Sequence, residues 1–376
     1  ALAVTEPLLK TDGSKAEVRA ERSQELQILA DVEDASGERV KAIDTFREYL
    51  AQRQDIWRTN PEFKGARRTL AYANVALGHQ MGRFGDRDEA MQFFNRGITQ
   101  FEAIVKEGGN PDMARDVAAS QVRRGEIEVM RGEIADALAD FRRGRDSTAL
   151  LAKRDPKNTM LLSDLCGFDF EEGRALTLAG DAAHGVPISK RSMQCFADLH
   201  LEADTGPGPG LMNSWIAEGL LRMHNVPEAL KYFENAAVPL RHDADRYDDA
   251  RCDLAMVESK IGNTLMQMGK TAEAAEHFEK ALEVAKLDFS LEHADLPALY
   301  AAADAYAGLG DVASAKARST PDSASKTRLL QDARKSYENS LNVWKKIPYP
   351  SRISGNGYAV GDPKETARRL EALGHS

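Results

Sequence analysis

An all-α solenoid of about seven helix-turn-helix repeats is the fold this sequence predicts, and three regularities predict it. A small residue recurs at Ala30, Gly78, Gly125, Gly173, Ala217, Gly262 and Ala303, at spacings of 48, 47, 48, 44, 45 and 41. Seven positions after each comes a candidate turn residue: Gly37, Gly85, Gly132, Gly180, His224, Gly269 and Gly310. Five further on stands alanine, at Ala42, Ala90, Ala137, Ala229, Ala274 and Ala315, with an aromatic one turn later at Phe46, Phe94, Phe141, Phe233 and Phe278. A fixed internal period determines architecture before any single residue is interpreted.

Each element of the unit has a physical reason. A small residue on the first helix lets its neighbour come close. Alanine and the aromatic four positions on share one face of the second helix, and the ring fills the remaining gap. Glycine between the two helical runs stops the first and turns the chain. Neither helix buries its apolar stripe alone, so the units stack. The fourth unit departs: no alanine sits five after Gly180, and Ala182 to Pro187 read as an insertion before a late Phe196. The run Thr205-Gly206-Pro207-Gly208-Pro209-Gly210 reads as a non-helical connector, or a flexion point, between the fourth and fifth units. Repeats one to four are expected over 1–204, repeats five to seven over 211–347, and a tail with a capping helix over 348–376, in one continuous solenoid.

The pattern resembles the tetratricopeptide repeat (TPR). The sixth unit carries it best, in Ile261, Gly262, Leu265, Gly269, Ala274, Phe278 and Ala281. The resemblance implies a right-handed superhelix and a function of surfaces. The usual period is about 34 residues, so the longer period here adds roughly one to two turns per helix at about 3.6 residues a turn. In such superhelices the first helix of each unit lines a concave groove, through the residues three before and one after the small position. Those positions hold Gln27/Asp31, Val75/His79, Val122/Glu126, Phe170/Arg174, Ser214/Glu218, Ser259/Asn263 and Tyr300/Asp304. The candidate partner-binding residues are Tyr72, His79, Phe170, Arg174, Glu218, Asn263, Tyr300 and Asp304. The family's carboxylate clamp for chaperone tails needs lysine and asparagine at successive groove positions, and only Asn263 fits.

Bulk properties narrow the partner to a protein or peptide. The chain of 376 residues is 42% hydrophobic and 29% charged, which suits a long, thin helical core, and its net charge is −9. That balance argues against duplex nucleic acid, which needs a basic footprint. There is no apolar run of eighteen residues to insert in a membrane. Three cysteines give no disulfide framework. Cys166 and Cys195 flank Gly180 at 14 and 15 residues, so a hairpin there would bring them level unless the inserted segment shifts the register; paired and thiol states both remain open.

No catalytic constellation emerges. There is no phosphate-cradling glycine loop followed by lysine, no His-Glu-x-x-His, no Cys-x-x-Cys and no Gly-x-Ser-x-Gly. His277, beside Phe278, reads as a satisfied helix-face residue. Asp243, Asp245, Asp248, Asp249 and Asp253 form the densest acidic cluster, but Tyr247 and Asp248 stand where a calcium loop needs a ligand and a glycine. These observations point to a non-catalytic chain without cofactor or metal.

The C-terminal region is separately informative. Ala333, Tyr337, Leu341 and Trp344 resume the apolar stripe, offset from Gly310 by a polar segment around Pro321. Asp362 as N-cap, Pro363 at the first turn and Glu365 as a capping-box partner restart a helix, with Ala367, Leu370 and Leu373 as the stripe that caps the last repeat. Ala305, Tyr306, Leu309, Gly310, Asp311, Ala333, Tyr337, Ser340, Leu341, Trp344, Asp362, Glu365 and Ala367 resemble the end of the TPR regions that follow the catalytic domain in large bacterial serine/threonine protein kinases. That resemblance implies a sensory or docking module in a signalling protein, with an upstream kinase domain in the full-length chain. The alternative is a small-molecule sensor with an aromatic pocket around Phe168, Phe170 and Trp215.

Overall fold

The structure is a computed structural model that describes residue 12 and residues 15–108, 112–200, 208–285 and 296–375. Its elements are α-helices in sequence: α1 (Ala16–Ala35), α2 (Arg39–Thr59), α3 (Ala66–Phe84), α4 (Arg87–Lys106), α5 (Asp112–Arg131), α6 (Ile134–Arg154), α7 (Thr159–Leu178), α8 (Ala182–Asp198), α9 (Pro209–Arg222), α10 (Val226–Asp243), α11 (Asp248–Gln267), α12 (Thr271–Ala285), α13 (Leu296–Ser319), α14 (Ser323–Trp344) and α15 (Pro363–Ala372). The chain divides into two compact units, residues 1–171 and 172–376, and the division falls within α7.

In the first unit the pairs α1/α2, α3/α4 and α5/α6 stack as the repeat demands. Gly125 on α5 faces the Phe141 ring of α6 so closely that a Cβ there would lie 2.4 Å from it. Gly144 on α6 likewise leaves room for Phe168, where a Cβ would lie 2.3 Å from the ring. Alanine at the partner position is fully buried in Ala42, Ala90 and Ala137. The turns are set by left-handed glycines at Gly37 (φ 81°) and Gly132 (φ 82°). After each, an amide reaches back five residues, Glu38 to Glu33 O and Glu133 to Glu128 O at 2.9 and 2.8 Å, the Schellman closure. Gly85 has φ −129° and ends α3 without it.

In the second unit α9/α10, α11/α12 and α13/α14 repeat the arrangement, with Gly262 against Phe278 and Gly310 against Tyr337. Three sequence readings are corrected here. The segment from Ala182 is no insertion but the start of α8, with Pro187 inside the helix. Gly185 stands where alanine stands elsewhere, and a Cβ on it would lie 2.5 Å from Gly173 O. Ser189 takes the aromatic's place and is buried, so two backbones in glycine contact replace a ring. Gly310 is no turn, because α13 runs through it to Ser319. Tyr337 needs the bare glycine surface, and the turn moves to Asp322, which caps α14 through the Ser325 amide at 2.7 Å. The Gly-Pro connector ends earlier than expected: Thr205 to Pro207 lie outside the described residues, while Gly208 is the N-cap of α9 and Gly210 is buried in it.

Cys166 and Cys195 are both disulfide-bonded, and Cys252 is a buried thiol outside any disulfide. The final helix α15 packs Leu370 and Leu373 against Ala313, Ala333 and Tyr337. Asp362 caps it through the Lys364 amide. Glu365 does not close the expected box, since its carboxylate pairs with Arg368 and Arg369.

Candidate functional site

Between α14 and α15 the chain crosses the first-helix face of the second unit. Its middle is a short hairpin: Ile353 and Ala359 form an antiparallel bridge. Ser354 N–H donates to Tyr358 O at 2.8 Å and Val360 N–H to Arg352 O at 3.0 Å. Gly357 makes the turn at φ 87°, a conformation L side chains rarely adopt. Ile353, Tyr358 and Val360 are at most 4% exposed, and Tyr358 and Val360 join the same apolar cluster as Ile216, Phe233 and Phe278. The tail is therefore part of the unit's core.

The groove's polar side chains hold this tail. Trp215 Nε1–H donates to Gly357 O at 2.8 Å, and the Arg174 guanidinium lies 5.7 Å from the Trp215 ring centre. Asp253 accepts from Asn356 Nδ2 at 3.1 Å and from the Tyr358 hydroxyl at 3.3 Å. Gly361 N–H donates to both carboxylate oxygens of Asp304, at 3.0 and 3.1 Å. Tyr300 packs edge-on against Trp344, donates to Tyr349 O and accepts from Ser351 N–H. Burial pushes the Asp304 carboxyl up to about 6, while Lys260 and the Gly361 amide pull the other way.

Beside the tail a chamber of about 970 Å³ remains. Its walls come from α9, α11 and α13 and, on the other side, from Ala359 to Asp362 and α15. Nearly every charge on the wall is spent. Glu218 pairs with Lys260 at 2.8 Å, Asp362 with Arg352 at 3.1 Å, and Asp311 with Arg369 at 2.6 Å and the Tyr337 hydroxyl at 2.7 Å. Arg222 gives one N–H to Thr177 O at 3.0 Å. The side chains of Asn263, Gln267 and Arg318 make no hydrogen bond among the described residues.

The candidate residues named from spacing divide accordingly. Glu218, Asn263 and Asp304 share the chamber wall. Tyr300 (2% exposed) and Arg174 (2%) are buried under the tail rather than open to a partner. Phe170 is fully buried in the first unit, a packing residue. There His79 sits 3.5 Å from Glu126 and each is 27% exposed; desolvation lowers the His79 pKa. Tyr72 is exposed. Trp215 is buried and bonded to the tail, and neither it nor Phe168 nor Phe170 lines the chamber. Spacing missed Trp215 and Asp253 as tail-holding groups, although Asp253 belongs to the acidic cluster. Ser354-Gly355-Asn356-Gly357 was the available signal for a tight turn.

Residues 253–319 match the sequence profile of the tetratricopeptide repeat. The fold is a TPR-like α-solenoid. Among solved structures, BtubC (BKLC) from P. vanneervenii is similar at 14% identity and a TM-score of 0.50, covering 72% of this chain and 93% of that one. A tetratricopeptide repeat protein from Parabacteroides merdae ATCC 43184 aligns at 11% identity and a TM-score of 0.46, covering 93% and 98%. The apo form of RapI aligns at 12% identity and a TM-score of 0.49, covering 94% and 97%. No curated protein matches the sequence. Among the described residues no helix is long and apolar enough to cross a membrane.

Proposed function

We propose that this chain is a non-catalytic binding module whose second unit receives a peptide segment of a partner. One observation carries the reading. The groove already holds a stretch of extended polypeptide, the chain's own residues 351–361, through main-chain bonds to Trp215 and Asp304 and side-chain bonds to Asp253. A surface that solvates a peptide backbone in this way is chemically suited to another. The resemblance of residues 304–373 to the TPR regions of bacterial serine/threonine kinases supports a place in a signalling protein, as its sensory or docking part.

The test is site-specific photo-crosslinking in a lysate of the source organism. A benzophenone side chain placed at Met266, on the chamber wall, should capture a discrete polypeptide. The same group at Glu279, on a second helix and off the chamber wall, should not. Identical products from both positions, or none from Met266, would sink the reading. The chamber's volume also falls in the range of small-ligand pockets. Protection of Met266 by a metabolite without polypeptide capture would favour that second reading.

A further inference from the structure

The chamber wall carries as many acids as bases, but they are not evenly spread. Glu218, Asn263 and Asp304 each follow the small residue of their repeat, at Ala217, Gly262 and Ala303. Arg222, Gln267 and Gly308 stand four positions further on. Positions four apart share a helix face, and all six residues line the chamber. They form two rows across α9, α11 and α13. The first row lies deep: Asp304 is buried, and Glu218 and Asn263 are half-buried. In the second, Arg222 and Gln267 are exposed, at the mouth.

At the deep end the charges do not cancel. Glu218 pairs with Lys260 and Asp362 with Arg352. Both cations act on Asp304 from further off, but no cation among the described residues comes within ion-pair distance of it. Three carboxylates therefore share two cations. Asp304 receives hydrogen bonds from the Gly361 N–H alone, and burial outweighs the two cations to hold its carboxyl at about 6. Elsewhere Asp311 and Glu365 are balanced by Arg369 and Arg318. That leaves Arg222 at the mouth, which gives one N–H to Thr177 O and meets no carboxylate among the described residues. Between the two unmatched charges lie the side-chain amides of Asn263 and Gln267, which make no hydrogen bond among the described residues.

We infer that the chamber selects a peptide segment carrying one cationic and one anionic side chain: the cation enters the deep row and pairs with Asp304, and the anion stays at the mouth on Arg222. The inference rests on the peptide-binding reading above and specifies its side-chain code. Folding has already desolvated Asp304, so the deep pair costs only the desolvation of the incoming cation. The pair at the mouth is screened by water and is the weaker of the two. Asn263 and Gln267 can donate to or accept from the backbone that joins the two side chains.

The probe is a synthetic library of acetylated, amidated peptides, each holding one lysine and one glutamate at varied spacing, with a second library of the same length that holds no charged residue. Both are screened against the full chain, and the tightest binder is measured by fluorescence anisotropy. It should come from the charged library. Glutamine in place of its lysine should weaken binding roughly tenfold, and glutamine in place of its glutamate about threefold. Asp304→Asn keeps an acceptor for the Gly361 N–H and should erase the lysine effect alone; Arg222→Gln should erase the glutamate effect alone. Affinity should rise as pH passes upward through about 6, where Asp304 ionises, and Asp304→Asn should flatten that rise. A binder from the uncharged library, or a lysine effect that survives Asp304→Asn, overturns the code and leaves the peptide reading standing. No binder in either library overturns both. Should Asp304→Asn fail to fold, the glutamine exchanges and the pH series on the parent chain decide, and a binder indifferent to both overturns the code.

Discussion

The two units follow one repeat rule and treat the same face differently. In the first unit the groove positions His79 and Glu126 pair with each other and stay partly open. In the second, Tyr300 and Asp304 are 2% and 6% exposed because a hairpin of the same chain lies over them. The repeat thus determines where a groove is, and a segment outside the repeat determines what the groove offers. The buried acids diverge as well. Glu128 in the first unit loses the competition for Arg124, which makes a two-pronged contact with Asp140 at 2.6 and 2.9 Å. One Glu128 oxygen is buried without a partner, and desolvation with the Asp140 charge pushes its carboxyl up to about 7. Glu258 in the second unit is fully buried as well, but Arg241, His277 and Lys280 all reach it at 2.6 to 2.9 Å. Against the upward pull of burial, these bonds hold it down at about 2.

The strongest way to break the comparison is to remove residues 351–376. Burial of Ile353, Tyr358 and Val360 stabilises by about 1.5–3 kcal/mol each. The second unit should therefore lose at least about 5 kcal/mol, and Trp215 emission should shift red. The first unit's urea transition should not move. An unchanged melting temperature would mean the tail is not part of the core.

Next in size is Glu258→Gln, which leaves Arg241 and Lys280 without their shared carboxylate and should cost about 3 kcal/mol. Acid titration separates the units by sign. Glu258 lies below its ordinary value of 4.5, so its contribution is present above that pH and is lost as pH falls toward 2. Glu128 lies above 4.5, so its contribution is present below that pH and is lost as pH rises toward 7. Asp304, raised to about 6, has the sign of Glu128 but sits in the second unit. Urea melts of Glu128→Gln and Glu258→Gln from pH 3 to pH 7 should show opposite slopes removed; equal slopes would refute the assignment.

Gly125→Ala and Gly308→Ala test whether packing is the same in both units. Each new Cβ meets an aromatic ring, Phe141 at 2.4 Å or Phe278 at 2.2 Å. Overpacking of about 1–3 kcal/mol outweighs a helix-propensity gain of up to about 1 kcal/mol, so both should destabilise similarly. A gain in stability at either site would break the shared rule. Smallest is His224→Gly. His224 holds φ 59° at the turn where four other repeats place a left-handed glycine, Gly37, Gly132, Gly180 and Gly269, and glycine should stabilise by about 0.5–1 kcal/mol in thermal melts.

Periodicity made the helix pairs legible because it records contacts between neighbours in sequence. Gly125 facing Phe141 and Gly262 facing Phe278 were readable for that reason. Gly310 misled because glycine serves two ends, a left-handed turn and close helix approach, and only the second applies there. Ala182 to Pro187 misled because proline in an early turn of a helix looks like a break. At repeat positions, Asp304 and Asn263 line the chamber. The hairpin that Asp304 holds was not legible, since no period links Gly357 to Trp215 or Tyr358 to Asp253.

That hairpin also changes how the second unit must fold. Stacked repeats touch only their neighbours, so a solenoid can nucleate anywhere and spread. The bond from Trp215 to Gly357 spans 142 residues, and that from Tyr358 to Asp253 spans 105. Long closures are entropically costly before they are rewarded, and they slow folding. During synthesis the helices from α9 onward wait with Trp215 uncovered until the last strand arrives. The second unit should therefore melt as one block in urea, where the same helices without the strap would fray repeat by repeat.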